Sequence, residues 1–234
     1  MDVDEAKRLA GIAACDHVSS GMRIGLGTGS TVHHTIVELA RRQDEEGLEI
    51  VGVPTSDATA ALARTLGIPL VDLDDVPFLD LVIDGADEFD PSFHLVKGGG
   101  AALLREKVVA QASRAMVVVA DDRKQVDVLG AFPLPIEVTP FAAHTTVRAI
   151  AKVLGCEVRL REGSDDLVVT DNGNHIADAF TGPRITDPQE SERSLLQLAG
   201  VVQVGLFVGM CDVVYLAGSN GVERLVNANG RMGN

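Results

Sequence analysis

Tryptophan is absent and tyrosine occurs once, so aromatic stacking on sugars or bases has little material to work with. The three cysteines, Cys15, Cys156 and Cys211, are scattered and odd in number, and none forms a C-x-x-C pair. A disulfide framework and a cysteine zinc site are therefore excluded. The six histidines make no H-x-x-x-H pair, and the adjacent His33 and His34 point apart on a helix, so a histidine zinc site is not expected. Apolar runs such as 116–120 fall far short of the roughly 20 residues that cross a bilayer. Lysine is scarce: 5 Lys and 15 Arg face 21 Asp and 13 Glu, and 20 basic minus 34 acidic residues gives −14. With no basic patch anywhere along the chain, binding to nucleic acid or a membrane surface is disfavoured. Such an acidic excess suits a protein kept soluble in concentrated salt, where screening makes self-repulsion tolerable, or simply an acidic cytoplasmic protein. The stretch Met1-Asp2-Val3-Asp4-Glu5 lacks the basic start and apolar core of a secretory signal, so a cytoplasmic location is expected.

What is present is ordinary globular material: 234 residues, 46% hydrophobic and 23% charged, enough for one large domain carrying a smaller insert. Short apolar runs at 22–26, 49–53, 79–83 and 115–120 end in polar loops; a helical pattern at 4–19 precedes the first, and those at 32–41, 58–66 and 101–113 lie between them, the one at 58–66 with Ser56 or Asp57 as its cap and Gly67 as its stop. This is the alternation of an α/β fold with a doubly wound, mostly parallel sheet. Ligands of such a sheet collect outside the carboxyl ends of the strands, where the strand-to-helix loops converge. Beyond Phe132-Pro133-Leu134-Pro135 the texture changes. Segments 156–160, 167–170 and 175–179 look like hairpin strands with Asp171-Asn172-Gly173-Asn174 as a turn. A helix at 190–198 and strands at 200–207 and 212–217 follow. The expected organisation is a main α/β domain over 1–130 and 205–228, a small α+β insert over 131–204, and a frayed tail at 229–234.

Three segments carry chemistry. Gly25-Leu26-Gly27-Thr28-Gly29-Ser30-Thr31 lies between a strand and a helix, where backbone N–H groups and the positive helix end make an anion site. Its glycines do not fit the dinucleotide fingerprint, and no Lys follows as in a P-loop. A cradle for one phosphate ester and a tight capped turn both satisfy the pattern. Asp84-Gly85-Ala86-Asp87-Glu88 puts carboxylates after an apolar strand, suited to metal binding, to acid–base work on sugar hydroxyls or to a solvated acidic loop. Lys97-Gly98-Gly99-Gly100 precedes a helix, and three successive glycines mark close backbone approach or unusual dihedrals rather than a linker. Glu106, one turn into that helix between Arg105 and Lys107, reads by itself as a solvated position.

In this order and spacing, the segments Gly27 to Thr31, Asp84 to Glu88 and Lys97-Gly98-Gly99-Gly100-Ala101-Ala102-Leu103-Leu104-Arg105-Glu106-Lys107 resemble type A ribose-5-phosphate isomerase. The likeness continues through Ala120-Asp121-Asp122-Arg123-Lys124, Phe132 to Val138, Thr170 to Asn174 and Gly200 to Phe207. The resemblance implies a doubly wound α/β domain with an inserted α+β domain, a homodimer or homotetramer, and no metal or organic cofactor. The implied reaction interconverts ribose 5-phosphate and ribulose 5-phosphate through an enediolate, in the non-oxidative pentose phosphate pathway. It makes Glu106 the proton-transfer base, Lys97 the cation facing the developing oxyanion, and Asp84 and Asp87 the carboxylates handling hydroxyl protons. Substrate binding falls to Lys7, Thr28, Gly29, Ser30, Thr31, Asp84, Gly85, Ala86, Asp87, Lys97, Gly98, Gly99, Gly100 and Lys124.

Other readings are disfavoured by specific features. A sugar-phosphate lactonase, aminosugar-phosphate deaminase or coenzyme A transferase does not need the intact K-G-G-G-A-x-x-x-R-E-K run. A sugar-phosphate sensor of a transcription regulator needs a DNA-reading helix pair, for which the short acidic N-terminal segment leaves no room. A dinucleotide-dependent dehydrogenase needs an acidic residue after the second strand, where Val53 and Pro54 stand.

Overall fold

A computed structural model describes residues 2–164 and 166–233. In chain order the strands are β1 (Arg23–Leu26), β2 (Val51–Pro54), β3 (Leu81–Gly85), β4 (Glu88–Phe89), β5 (Leu95–Val96), β6 (Met116–Asp121), β7 (Leu134–Val138), β8 (Glu157–Leu160), β9 (His175–Phe180), β10 (Val201–Val204), β11 (Leu206–Phe207), β12 (Val213–Gly218) and β13 (Gly221–Val226). The α-helices are α1 (Val3–Ala14), α2 (Ser30–Glu46), α3 (Asp57–Thr65), α4 (Leu103–Ala112), α5 (Ala143–Leu154) and α6 (Pro188–Leu196). None of the described helices is long and apolar enough to cross a membrane. Two compact units result, one formed by 1–86, 105–124 and 209–234 and the other by 87–104 and 125–208.

The first unit is built on a six-stranded sheet of order β13-β12-β6-β3-β1-β2, parallel except for the β12–β13 hairpin at its edge. The parallel strands are continuous apolar runs, as a sheet covered on both faces requires. Ile24, Leu26, Ile83, Val117, Val119 and Val213 join Ala10, Ala14, Ile36 and Leu39 of α1 and α2 in one core. Because β1, β2, β3 and β6 run in the same direction, Leu26, Pro54, Gly85 and Asp121 all end at one edge of the sheet. The expected convergence of polar loops in this unit follows from that. Local sequence sets the helix ends: Ser56 caps α3 by accepting from the Thr59 N–H, and Gly47, left-handed at φ 70°, closes α2.

The second unit holds an antiparallel sheet of order β10-β7-β9-β8 and a three-stranded sheet of order β11-β5-β4. Leu134, Ile136, Val138, Ala177, Ala179 and Val204 form its core with Ile150 of α5 and Leu195 of α6. Its boundaries differ from the expected 131–204. Residues 87–104 belong to it because β4 and β5 pair with each other and β5 with β11. Residues 125–130 belong to it because the Glu88 carboxylate accepts from the Gly130 and Phe132 N–H groups at 2.7 and 2.5 Å, and the Val126 N–H donates to Phe89.

Three further expectations change. The tail is not frayed over its described part: Arg231 begins a short 3₁₀ turn and donates to the carbonyls of Ser113 and Met210 and to the buried Asp212 carboxylate. The strand expected at 200–207 is two, because Gly205 interrupts it and its N–H donates to Pro135. The segment 167–170 makes only isolated bridges at Leu167 and Val169.

Candidate active-site residues and their surroundings

In the first unit the loop from β1 to α2 is shaped by Asp84 at the end of β3. This carboxylate is 0% exposed, and its Oδ1 accepts from the N–H groups of Thr28 at 3.1 Å and Gly85 at 2.7 Å. Gly27 is required there, since a Cβ at that position would overlap the Asp84 carboxylate. Gly29 follows with φ 122°, a conformation that favours glycine, and α2 starts at Ser30 with no acidic residue in its first turn. The helix start is therefore open to an anion. No side-chain cap occupies the helix start, so the capped-turn reading does not describe this loop.

The cradle is underpinned by hydroxyls. Thr28 Oγ1 lies 2.8 Å from Thr55 Oγ1, donates to Ser56 Oγ at 2.8 Å, and lies 3.2 Å from Thr59 Oγ1. Thr59 Oγ1 in turn donates to the Gly27 carbonyl at 2.8 Å. Thr55, Ser56 and Thr59 are buried, so the β2–α3 connection fixes the β1–α2 loop through a hydroxyl network. The sequence marks Ser56 only as a candidate helix cap, alongside Asp57. The signal for the rest was the Pro54-Thr55-Ser56-Asp57 run leaving a strand adjacent to β1. Lys7 of α1 reaches the cradle rim, where its Nζ donates to Ser30 Oγ at 2.9 Å. A groove of about 680 Å³ opens here, lined in part by Gly27, Thr28, Gly29, Ser30 and His33.

Two more expected residues belong to this unit. Glu106 is 4% exposed, and its neighbour Lys107 is buried as well. The reading of Glu106 as a solvated helix position is therefore corrected: α4 buries charged as well as apolar side chains, so hydrophobic periodicity carries no signal along it. Next to Glu106, Arg105 is the residue facing outward, pairing with Asp57 at 2.7 Å. Lys124 closes the 3₁₀ turn after β6. In that turn burial opposes ionisation of Asp121, but the Arg123 guanidinium at 2.7 Å outweighs it and holds the carboxyl below its ordinary value.

The second unit carries Asp87, Lys97, Gly98, Gly99 and Gly100. Lys97 is 2% exposed, its N–H donates to the Gly205 carbonyl, and its Nζ lies 5.4 Å from the centroid of the Phe207 ring, within reach of a cation–π contact. Asp87 Oδ2 accepts from the Gly99 N–H at 2.7 Å. The glycines are there for stated reasons. Gly98 has φ 108°, and a Cβ on Gly99 would come within 2.5 Å of Asp87 Oδ1. Ala101 completes the turn in the left-handed region at φ 58°, a conformation that costs a non-glycine residue about 1 kcal/mol or more. Of the expected substrate positions, Lys7, Thr28, Gly29, Ser30, Thr31, Asp84, Gly85, Ala86 and Lys124 thus lie in the first unit with Glu106, and the remainder in the second.

An anion cradle on the carboxyl edge of an open sheet, with a buried carboxylate behind it, defines a class of α/β protein that handles small phosphate-bearing molecules. The comparisons narrow this. The family model for ribose 5-phosphate isomerase A (phosphoriboisomerase A) matches residues 51–221. Ribose-5-phosphate isomerase A of Cereibacter sphaeroides is 51% identical over 225 residues, covering 94% of this chain and 90% of the relative. Among solved structures, ribose 5-phosphate isomerase A from Methanocaldococcus jannaschii aligns with a TM-score of 0.90 at 39% identity, over 95% of this chain and 98% of that one. A D-ribose-5-phosphate isomerase in complex with phospho-erythronic acid aligns with a TM-score of 0.93 at 40% identity, over 97% and 100%. The chain belongs to the ribose 5-phosphate isomerase A family and is an isomerase.

Proposed function

We propose that the chain interconverts D-ribose 5-phosphate and D-ribulose 5-phosphate in the non-oxidative pentose phosphate pathway, with Glu106 as the base that carries the proton between C2 and C1. The observation that supports this assignment most directly is the burial of Glu106. Removing a carboxylate from water is costly, and ionisable groups buried in this way cluster at functional sites.

The reaction moves one carbon-bound proton and one hydroxyl proton. The base lifts the proton from C2 of the open-chain aldose, and the C2–H electron pair forms a C1–C2 double bond while the carbonyl oxygen O1 gains negative charge. The same carboxyl returns its proton to C1, and loss of the O2 proton leaves the ketone at C2. One carboxylate serving both carbons is the economical form of general acid–base catalysis. Lys97 supplies positive charge where the enediolate oxygen develops, an interaction stronger in the transition state than in the ground state. Asp84 and Asp87 handle the hydroxyl protons in ring opening and in transfer between O2 and O1. Thr28, Gly29, Ser30 and Thr31, with Lys7 and Lys124, bind the substrate and its phosphate. Gly85, Ala86 and Gly98 to Gly100 contribute backbone to the sugar.

Running the reaction in D₂O tests the enediolate route. The account expects solvent deuterium at C1 of ribulose 5-phosphate to the extent that the Glu106 proton exchanges with water. Complete retention of a C2 label under conditions of slow turnover points instead to direct hydride transfer.

The protein works in the cytoplasm as a homodimer or homotetramer, in concentrated salt. The free thiols of Cys15, Cys156 and Cys211 fit a reducing compartment. Phe141 at 88% exposure and Val169 at 61% offer the second unit apolar surface for self-association. The net charge of −14 supports the salt requirement.

A further inference from the structure

The glycine run that follows Lys97 is held from behind by a residue that belongs to none of the short motifs singled out in the sequence. Arg161, just past β8, donates from Nη1 to the carbonyls of Gly98 at 2.9 Å and Gly99 at 3.0 Å. Its Nε and Nη2 are taken by the two carboxylate oxygens of Asp178 on β9, at 2.8 and 2.5 Å. The pair is bidentate and mostly buried, with side-chain exposures of 17% and 16%. Such a fork fixes the guanidinium plane, which an ammonium cannot reproduce.

We infer that Arg161, oriented by Asp178, is a positioning residue for the isomerisation, holding the Gly98–Gly100 peptides in the orientation the reaction needs. The inference rests on the proposed roles of Lys97 and the glycine run. In a trans peptide the N–H points away from the C=O. Two carbonyls converging on one guanidinium therefore turn the N–H groups of Gly99 and Gly100 to the opposite side. The Gly99 N–H indeed donates to Asp87, one of the proposed proton-handling carboxylates. The charge on Arg161 also polarises both peptides and makes their N–H groups stronger donors. The run is strained enough to need a hold, with Gly98 at φ 108° and Ala101 at φ 58°. Without Arg161 the Gly98 and Gly99 carbonyls lose this shared donor, and the orientation of the run rests on the Gly99 N–H bond to Asp87 and the Ala101 N–H bond to the Gly98 carbonyl alone.

The test compares Arg161→Ala, Arg161→Lys and Asp178→Asn with wild type for turnover of ribose 5-phosphate, inhibition by inorganic phosphate, and thermal unfolding. Loss of positioning predicts kcat lower by on the order of 10- to 100-fold in Arg161→Ala, with inhibition by inorganic phosphate unchanged because the cradle at 27–31 is intact. Lys at 161 leaves most of the loss in place. Millimolar guanidinium, but not methylammonium at equal ionic strength, restores part of the Arg161→Ala rate. Should Arg161→Ala not fold, Asp178→Asn carries the test, with kcat lower by roughly 3- to 10-fold at a temperature well below its melting point, where it is fully folded. Wild-type kcat in Asp178→Asn or in a folded Arg161→Ala overturns the inference, as does a rate loss that only parallels lost stability and ignores guanidinium. A wild-type protein that folds but does not turn over ribose 5-phosphate instead overturns the functional reading.

Discussion

Replacing Glu137 should destabilise the second unit by an amount its surroundings define. This β7 side chain is 0% exposed, and its Oε1 accepts from Thr170 Oγ1 at 2.9 Å, Asn172 Nδ2 at 3.1 Å and Asn174 Nδ2 at 2.8 Å. It therefore pins the Thr170 to Asn174 turn, in which Gly173 is left-handed at φ 78°. In Glu137→Ala the buried Thr170 hydroxyl is stranded, at about 1 to 3 kcal/mol. The two asparagine amides lie nearer solvent and regain water, losing about 0.5 kcal/mol each, and the cavity adds about 1 kcal/mol. The sum is roughly 3 to 5 kcal/mol. At about 2–4 °C per kcal/mol for a chain of this size, the melting temperature falls by roughly 6–20 °C. Glu137→Gln keeps an acceptor for the three donors but puts an NH₂ where Oε2 has no hydrogen-bond partner among the described residues, so about 1–2 kcal/mol is lost. Differential scanning calorimetry with urea titration reads both. An alanine variant melting within 2 °C of wild type, or a glutamine variant worse than alanine, refutes the reasoning.

Gly27→Ala drives a methyl group into the Asp84 carboxylate, so kcat/KM for ribose 5-phosphate should fall by at least about tenfold, with stability lost by about 1–3 kcal/mol; steady-state kinetics and urea unfolding decide it. His17 contributes a pH dependence. Burial, then repulsion from Arg224, lowers its pKa below the ordinary value, while its Nε2 lies 3.1 Å from the Tyr215 hydroxyl. The unfolded chain then binds a proton near pH 6.5 that the folded chain does not, so stability is full above that pH and is lost as pH falls toward the lowered value. In urea titrations from pH 7.5 to 5.5, His17→Gln should flatten that part of the profile, and an unchanged slope removes His17 from it. Salt should act through the −14 charge: the melting temperature rises steadily with KCl into the molar range as repulsion is screened, and a maximum near physiological salt ends the halophilic reading.

The parallel sheet was legible because β1, β2, β3 and β6 are apolar runs that each leave into glycine, hydroxyl or carboxylate residues, and such runs form parallel strands between helices. The cradle was legible for the same reason. Elements whose cause is tertiary were not. Residues 134–138 form the central strand β7 despite Pro135, which suggested a break. Pro135 has no N–H to give to the ladder, while its carbonyl accepts from the Gly205 N–H at 2.8 Å. Strands β4, β5 and β11 are two residues each, too short for any period. Helix α5 begins after Ala142 in a left-handed conformation with no side-chain cap, so it lacks the start signal by which α3 was found. At the site, the hydroxyl network of Thr55, Ser56 and Thr59 and the hold of Arg161 on the glycine run join residues 27 to 63 positions apart, and nothing in the local sequence announces such pairings.

The measurement that bears most directly on the account is conversion of ribose 5-phosphate to ribulose 5-phosphate in molar salt with a chelator present, wild type beside Glu106→Gln. The account predicts chelator-insensitive turnover by wild type and a kcat lower by on the order of 10²-fold or more in the variant, with little change in KM. A Glu106→Gln protein that retains full turnover contradicts it, since the proton between C2 and C1 would then be carried by another group.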